Sequence, residues 1–144
     1  MLNLPIRGEY QSLKPCVLKG IGYTVWCYGL LQTNHHQLNK VIDKFYREVT
    51  APYWAPERQY IDRHYQDIPI PFKQIEAPSF AIQKNLELNE LVSYFATWSP
   101  VNTLLKQTGE SLIDTWLKPN IEALNIAGSI ECQWPISLIV SRKS

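Results

Sequence analysis

Long apolar runs, a surplus of one charge and closely paired cysteines are all missing from this 144-residue sequence. No stretch reaches the about 18 apolar residues of a membrane-spanning helix, and residues 1–9 lack the apolar core of a signal peptide. Lysine and arginine number 14 against 13 acidic residues, so the charge balance favours neither nucleic acid nor an acidic membrane as a partner. We therefore expect a cytoplasmic protein that binds neither.

Metal-ligand patterns are also missing. The three cysteines, Cys16, Cys27 and Cys132, form no CxxC pair, and they lie in apolar or strand-like surroundings. His35 and His36 stand in a polar segment with no cysteine or acid at metal-ligand spacing, so we interpret them as surface residues. The sequence predicts neither a metal site nor a disulfide framework.

No nucleophile–base pair or phosphate-binding loop can be assembled from the remaining polar residues. Gly20-Ile21-Gly22 is a lone G-x-G without the preceding strand and following helix of a dinucleotide-binding turn. His64 could act as a general base, but its position beside Tyr65 suits helix packing at least as well. An unrelated small enzyme is therefore a disfavoured interpretation.

The composition of the chain is typical of a folded globular protein. Apolar residues make up 45% of the sequence and charged residues 19%, and 5 Trp, 8 Tyr and 4 Phe predict an aromatic-rich core. The length matches a single domain of about 100–150 residues. Residues 1–13 show no clear period and are interpreted as a lead-in, which leaves residues 14–144 as the domain.

Apolar periodicity predicts an α/β fold with about three strands and about five helices. The strands are a nearly uncharged run at 17–31, expected to be buried, a short strand at 80–86, and an alternating tail at 132–140. The last two strands are expected to form an antiparallel pair at an edge, weakened at Pro135. The predicted helices occupy residues 38–49, 60–65, 88–98, 99–109 and 111–124, the last one interrupted at Pro119.

Several segments carry a resemblance to a known family. They are Leu13-Lys14-Pro15 with Tyr23-Thr24-Val25-Trp26-Cys27-Tyr28-Gly29, Phe45-Tyr46 with Pro52-Tyr53-Trp54-Ala55-Pro56-Glu57-Arg58, Thr97-Trp98-Ser99, and Trp134-Pro135. Together they resemble the C-terminal part of class I S-adenosylmethionine-dependent methyltransferases of the type 11 group, which includes trans-aconitate-type small-acid methyltransferases. The match is collinear from about residue 24 to the end.

The resemblance implies a Rossmann-like sheet of which residues 14–144 form the acceptor side. The family's paired glycines after Leu-Lys-Pro are replaced here from Cys16 onward. Its upstream G-x-G-x-G turn and ribose-binding acidic residue have no counterpart, so the donor-binding half is missing. We therefore expect a chain that contributes to methyl transfer onto a small molecule but is inactive alone, because it does not bind S-adenosylmethionine.

Four aromatic residues are candidates for the wall of an acceptor pocket: Tyr53, Trp54, Tyr94 and Trp98. Stacked aromatic rings exclude water and can also steady a sulfonium charge. Packing in the core is the alternative interpretation, and it ranks ahead of substrate binding.

Arg58 is a candidate for binding a substrate carboxylate, because a guanidinium offers two parallel donors in one plane. The alternative is an ion pair with Glu57, Asp62 or another carboxylate. Tyr28 and Gly29 end the first predicted strand, on the side where open α/β sheets bind ligands, so they are candidates for proximity to the donor methyl group.

The rival to an enzyme half is a binding or regulatory module that pairs with another chain through an exposed sheet edge. The first predicted strand would lack its upstream neighbour, and residues 21–31 carry no charge that would repel a second strand. The partner would be a chain that carries the donor-binding half, or a second copy in a homo-oligomer.

Overall fold

The computed structural model describes residues 22–143, which form two compact units. In the described part, the first unit contains residues 22–29, 59–81 and 135–143, and the second contains residues 30–58 and 82–134. The predictions for the lead-in, for the Leu13-Lys14-Pro15 turn, for Cys16 and for Gly20-Ile21 lie outside the described residues.

Within residues 22–143, five strands form one sheet in which β5 pairs with each of the others. They are β1 (Gly22–Tyr28), β2 (Gln32–Thr33), β3 (Lys73–Ile75), β4 (Phe80–Leu86) and β5 (Ile130–Arg142). Strands β1, β2 and β3 run antiparallel to β5. The expected count of about three strands was too low, because β2 and β3 have only 2 and 3 residues, too few to show an alternating pattern.

The burial predicted for β1 is wrong. Within Gly22–Tyr28, Cys27 is the buried residue, and Trp26 is 45% exposed. An uncharged β-branched and aromatic run indicates strand conformation, but burial depends on what packs against each face of the strand.

The burial pattern of β5 changes at Pro135. Before it, buried Ile130, Cys132 and Trp134 alternate with exposed residues, as expected for a half-buried strand. After it, residues 136–140 are all half-buried, so the predicted alternation to residue 140 is wrong there. Strand β2 pairs with residues before Pro135, and β1 pairs from Ile136 onward, which fits a proline that has no N–H for the ladder.

The described residues contain five α-helices, as the sequence predicted. They are α1 (His36–Lys44), α2 (Arg58–Asp62), α3 (Leu88–Ala96), α4 (Ser99–Thr108) and α5 (Lys118–Glu122). A π-helical turn, Phe45–Val49, continues α1, and a second one, Ile113–Leu117, precedes α5. The second turn ends two residues before Pro119, near the interruption that the sequence predicted at that proline. None of the helices in this part of the chain is long and apolar enough to cross a lipid bilayer.

Local hydrogen bonds fix where the helices begin and end. The predicted cap of α1 was Thr33 or Asn34, whereas His35 occupies the cap position without a side-chain bond. Thr33 is instead tied to Asn39 in the first turn, whose side chain meets the Thr33 backbone N–H at 2.8 Å. Gly109, with φ of 76°, ends α4 in the left-handed conformation that glycine adopts without strain.

Candidate functional site: an aromatic cluster with a stacked arginine

The second unit contains an aromatic cluster centred on Trp98. The Trp98 ring lies 4.9 to 6.1 Å, centroid to centroid, from the rings of Phe45, Tyr46, Trp54, Tyr94 and Phe95. Phe45 and Tyr46 come from the π-helical turn after α1, and Tyr94 and Phe95 come from α3. Tyr94 and Phe95 lie in the last turn of α3, and Trp98 follows that helix with its backbone N–H bonded to the Phe95 carbonyl oxygen at 3.1 Å, so the end of α3 brings three rings together.

The cluster has a buried interior and a half-buried rim. Phe45 and Phe95 belong to the interior and are fully buried. Trp54 and Tyr94 form the rim, and part of each of these side chains is exposed to solvent. Trp134 of β5 donates its indole N–H to the Tyr94 hydroxyl at 3.0 Å, which satisfies the polar ends of both side chains. The interior is therefore a packing core, and any ligand contact falls to the rim.

A buried threonine holds the Trp54 side of this rim. The Thr50 hydroxyl accepts a hydrogen bond from the Trp54 indole N–H at 3.0 Å. It also lies 2.9 Å from the Phe45 carbonyl oxygen and 3.2 Å from that of Tyr46, so it can donate to either. Sequence reasoning missed Thr50, because a lone threonine between two patterns gives no sign of burial.

We expect Thr50→Ala to lower the free energy of unfolding by about 1–2 kcal/mol, since it removes bonds made by a buried hydroxyl. Thr50→Ser is the matched control, because it keeps the hydroxyl, and it should lose less than Thr50→Ala. Urea unfolding followed by tryptophan fluorescence measures both variants. Equal losses would mean that the methyl group of Thr50 matters and its hydrogen bonds do not.

Arg58, at the start of α2, lies over the same rim. Its guanidinium carbon is 4.7 Å from the ring centroid of Trp54 and 5.3 Å from that of Tyr46. Its Nε donates to the Tyr46 hydroxyl at 2.8 Å. Two aromatic faces and one hydrogen bond therefore hold the guanidinium plane in a defined orientation, which a two-pronged contact with a carboxylate requires.

The structure brings four of the five predicted acceptor-site residues together. Trp54, Tyr94 and Trp98 belong to the aromatic cluster, and Arg58 stacks on it. Tyr53 does not join them, because it ends a separate 3-10 turn and is 36% exposed. Substrate binding by these residues stays a prediction, as does the alternative of an ion pair at Arg58.

Tyr46 contacts Arg58, and its residue type alone did not mark it as a candidate. It stands in the Phe45-Tyr46 pair that carried part of the family resemblance, and that pair was the available signal. The Tyr46 hydroxyl accepts the bond from Arg58 because the chain folds back between residues 46 and 58. The sequence does not show this fold.

In the first unit, β1 ends at Tyr28 as predicted, and Gly29 follows in close contact with β5. The Gly29 N–H donates to the Pro135 carbonyl oxygen at 2.7 Å. A Cβ atom added at Gly29 would lie 3.4 Å from Cγ of Pro135, so the small residue fits the close approach of the two strands. Proximity of Tyr28 and Gly29 to a methyl donor stays a prediction.

His64 lies outside helix α2, so the helical pattern predicted to continue to Tyr65 is wrong. The helix ends at Asp62, and His64 and Tyr65 have φ of 52° and 59°. The His64 Nδ1 atom is 2.5 Å from the Ser137 hydroxyl oxygen of β5. Tyr65 is buried, and the burial of this large side chain offsets the strain of two consecutive left-handed residues.

The two cysteines among the described residues are buried and not bridged. Burial raises the pKa of the Cys132 thiol, so this group stays protonated at neutral pH. Because the thiolate is the reactive form, Cys132 has the character of a packing residue and not of a nucleophile.

A polar groove of about 490 Å³ lies in the second unit, where β2, β4 and β5 meet. Its walls consist mainly of carboxamide side chains with one lysine and one glutamate: Gln32, Asn34, Gln83, Lys84, Asn85, Glu131 and Gln133. Sequence reasoning did not single out these residues, because isolated asparagines and glutamines also typify ordinary exposed strands.

Comparison with known proteins relates this architecture to methyltransferases. No protein-family model matches the sequence. A Dictyostelium discoideum protein named "Putative methyltransferase" is 29% identical over 147 residues, which cover 98% of this chain and 55% of that protein. A solved structure of "a Putative Type II Methyltransferase" from Anaeromyxobacter dehalogenans matches with a TM-score of 0.79 and 25% identity, covering 92% of this chain and 57% of that one.

These matches establish a mixed α/β, methyltransferase-like fold. The chain spans a little over half the length of each of the two proteins. The trans-aconitate type, a Rossmann-like half-domain and the identity of the substrate stay predictions.

Proposed function

We propose that this chain is the acceptor-side part of an S-adenosylmethionine-dependent methyltransferase. The observation that carries the proposal is the match of nearly the whole chain, 98% of it, to 55% of a protein named as a methyltransferase. The structural match, with a TM-score of 0.79, supports the same assignment of the fold.

The described residues do not fit a donor-binding turn. Such a turn connects a strand to a helix through glycines whose backbone approaches the cofactor. The positive-φ glycines in residues 22–143 are Gly109, which lies between α4 and a π-helical turn, and Gly128, which lies between α5 and β5. Neither stands between a strand and a following helix, so we assign no donor-binding residue.

The chemistry is compatible with the residues that are present. S-adenosylmethionine, when bound, supplies a methyl group already activated by a sulfonium. A protein then needs chiefly to align an acceptor and to exclude water, without a metal ion or a nucleophilic side chain. The rim of the aromatic cluster, with Trp54, Tyr94 and the oriented guanidinium of Arg58, offers surfaces for that task.

For the acceptor we propose a small molecule that carries a carboxylate. The support is Arg58, whose guanidinium is stacked over Trp54 and Tyr46 with Nε already engaged by the Tyr46 hydroxyl. A guanidinium presents paired donors in one plane, and these match the two oxygens of a carboxylate.

We expect the lone chain to show no micromolar binding of S-adenosylmethionine in isothermal titration calorimetry. When a related donor-binding half is fused to its N-terminus, binding and transfer of a labelled methyl group should appear. The donor-binding half alone is the control for binding without transfer. Micromolar binding by the lone chain would contradict the view that the donor site is missing.

A binding or regulatory module that recruits a donor-carrying partner chain is the second candidate. The observation that favours it is β1, which pairs with β5 on one side and, among the described residues, with no strand on the other. Co-purification of the chain with a donor-binding protein, without methyl transfer by the complex, would favour this candidate over an enzyme half.

A further inference from the structure

The polar groove of the second unit differs in composition from the rest of the chain. Nine described residues line it, and five of them are asparagine or glutamine, whereas these two types account for 17 of the 144 residues in the sequence. None of the nine carries an aromatic ring. Pockets for drug-like ligands are lined mainly by apolar side chains, so this groove suits a ligand of another kind.

The pairing of β2 with β5 gathers four of these side chains on one face of the sheet. Gln32 stands opposite Gln133 in the register of the two strands. The Asn34 N–H donates to the Glu131 carbonyl oxygen at 3.2 Å, which sets Asn34 beside Glu131 in the next row. Side chains alternate between the two faces of a strand, and residues 131 and 133 are on the exposed face of β5.

Strand β4 supplies the other wall of the groove. Leu86 is buried, so alternation places Gln83 and Asn85 on the face opposite to it, and both line the groove together with Lys84. Strand β4 pairs with β5, as β2 does. The groove therefore spans three strands, which is about 10 Å at the usual spacing of strands in a sheet.

The groove is separate from the aromatic cluster. Trp134 is buried, and its ring packs against Tyr94 of that cluster at 5.4 Å. Gln133 precedes it on β5 and directs its side chain to the opposite face. Within the second unit, a ligand in the groove therefore occupies a different face of the sheet from an acceptor at the rim of the cluster.

The polar side chains of the groove keep their hydrogen-bonding capacity. Within residues 22–143, no hydrogen bond or ion pair involves the side chains of six lining residues: Gln32, Asn34, Gln83, Asn85, Glu131 and Gln133. An apolar surface packed on them would leave these groups unsatisfied, whereas water or a polar ligand satisfies them. The lining therefore indicates a polar occupant.

The chemistry of the lining selects the class of that occupant. A carboxamide both donates and accepts hydrogen bonds, as a hydroxyl group does, and the two oxygens of a carboxylate can accept from two neighbouring hydroxyls. One lysine and one glutamate leave the groove without net charge, which favours neither a phosphate nor a polyamine. The described lining also offers no ring on which a nucleobase could stack.

We propose that this groove binds a neutral polyhydroxylated molecule, in the form of a short oligosaccharide. The carboxamides on the β2 and β4 walls bind its outer hydroxyls, and Glu131 accepts from a pair of hydroxyls at the centre. A single small polyol does not reach both walls of a groove three strands wide. Because these bonds replace bonds to water, we expect a dissociation constant on the order of 1 mM. The proposal does not depend on the assignment as a methyltransferase.

The first test is an NMR titration of the full chain with maltotriose and with cellotriose, to about 20 mM of each, well above the expected dissociation constant. Side-chain NH₂ signals of Gln32, Gln83 and Gln133 should shift and saturate with at least one trisaccharide. Signals of Gln74 and Gln107, two exposed glutamines outside the groove, should not. The same trisaccharide with every hydroxyl methylated keeps its acceptors but has no donor, so it should cause no saturable shift.

The second test is Glu131→Ala, with Glu76→Ala as the matched control. Both glutamates are exposed, and Glu76 directly follows β3, outside the groove. Glu131→Ala should weaken trisaccharide binding at least about tenfold, because it removes bonds to a charged acceptor, whereas Glu76→Ala should bind as the wild type does. The backbone amide spectrum checks that each variant is folded, and the wild-type titration needs no variant.

Three results would each overturn the proposal. One is the lack of a saturable shift with both trisaccharides. Another is equal binding of the methylated trisaccharide, which would mean that its hydroxyls are not recognised. The third is wild-type affinity in Glu131→Ala, which would mean that the ligand binds outside the groove.

Discussion

Replacing Phe45 by alanine should lower the free energy of unfolding by about 3–5 kcal/mol, the largest loss we expect from a single substitution in this chain. The Phe45 ring is 0% exposed. It stacks on Trp98 at 5.8 Å and on Trp116 at 5.5 Å, and it meets the edge of Phe95 at 5.9 Å. Large rigid rings on three sides cannot move in to fill the space, so most of the cavity would remain.

Phe80→Ala is the matched control, because the same side-chain atoms are removed from a residue that is 52% exposed. We expect a loss within about 0.5 kcal/mol for this surface position. Urea unfolding monitored by tryptophan fluorescence should separate the two variants clearly, since four tryptophans lie in the second unit with Phe45. A Phe45→Ala loss no greater than that of Phe80→Ala would mean that the aromatic cluster does not form.

The second large effect concerns Arg58 in the protein completed with a donor-binding half. Arg58→Ala should raise the Michaelis constant for a carboxylate acceptor by roughly 10- to 150-fold, which corresponds to about 1.5–3 kcal/mol for a charge-assisted contact. The physical reason is that Trp54, Tyr46 and the Tyr46 hydroxyl hold the guanidinium before substrate arrives. Little side-chain entropy then remains to be lost on binding.

Two controls separate recognition of the substrate from support of the fold. The neutral methyl ester of the same acid should be affected little by Arg58→Ala, because it offers no charged pair of oxygens. Arg58→Lys keeps the positive charge but not the planar fork, so it should restore only part of the binding. Equal losses on acid and ester, or no loss on either, would show that Arg58 serves as an ion-pair or packing residue.

Helices and strands whose boundaries are marked by neighbouring residues were predicted well from the sequence. Helix α4 has Ser99-Pro100 at its start and Gly109 at its end, and the structure places it at Ser99–Thr108. Strand β4 was predicted at residues 80–86 and is found there. In both cases the backbone preferences of a few neighbouring residues decide the boundaries, and these preferences can be read along the chain.

Elements that depend on distant partners were missed or misjudged. Strands β2 and β3 exist because β5 supplies a partner for a very short segment. The left-handed residues His64 and Tyr65 depart from the predicted helix, and their strain is offset by burial of Tyr65. Local propensity opposes such a turn, so a reading of residues 58–65 alone predicts continued helix.

The residues of the candidate site were likewise predicted only in part from the sequence. Residue types alone identified Trp54, Arg58, Tyr94 and Trp98, because aromatic rings and a guanidinium are the groups able to bind a flat or charged acceptor. The sequence could not show that Tyr53 would stay outside the cluster, 36% exposed, or that Tyr46 would join it. Those outcomes depend on the path of the chain from the π-helical turn through Thr50 to α2.

By itself, the sequence determined the composition of an aromatic core, the order of most helices and strands, and a resemblance to methyltransferases that two known proteins support. Each of these follows from residue type and short-range spacing. Only the tertiary structure decided that the aromatic cluster of the second unit centres on Trp98, that Arg58 stacks on two rings, and that β5 pairs with each of the other described strands. The physical reason is that ring packing and strand pairing join residues far apart in the chain, and their free energy depends on contacts that no local pattern records.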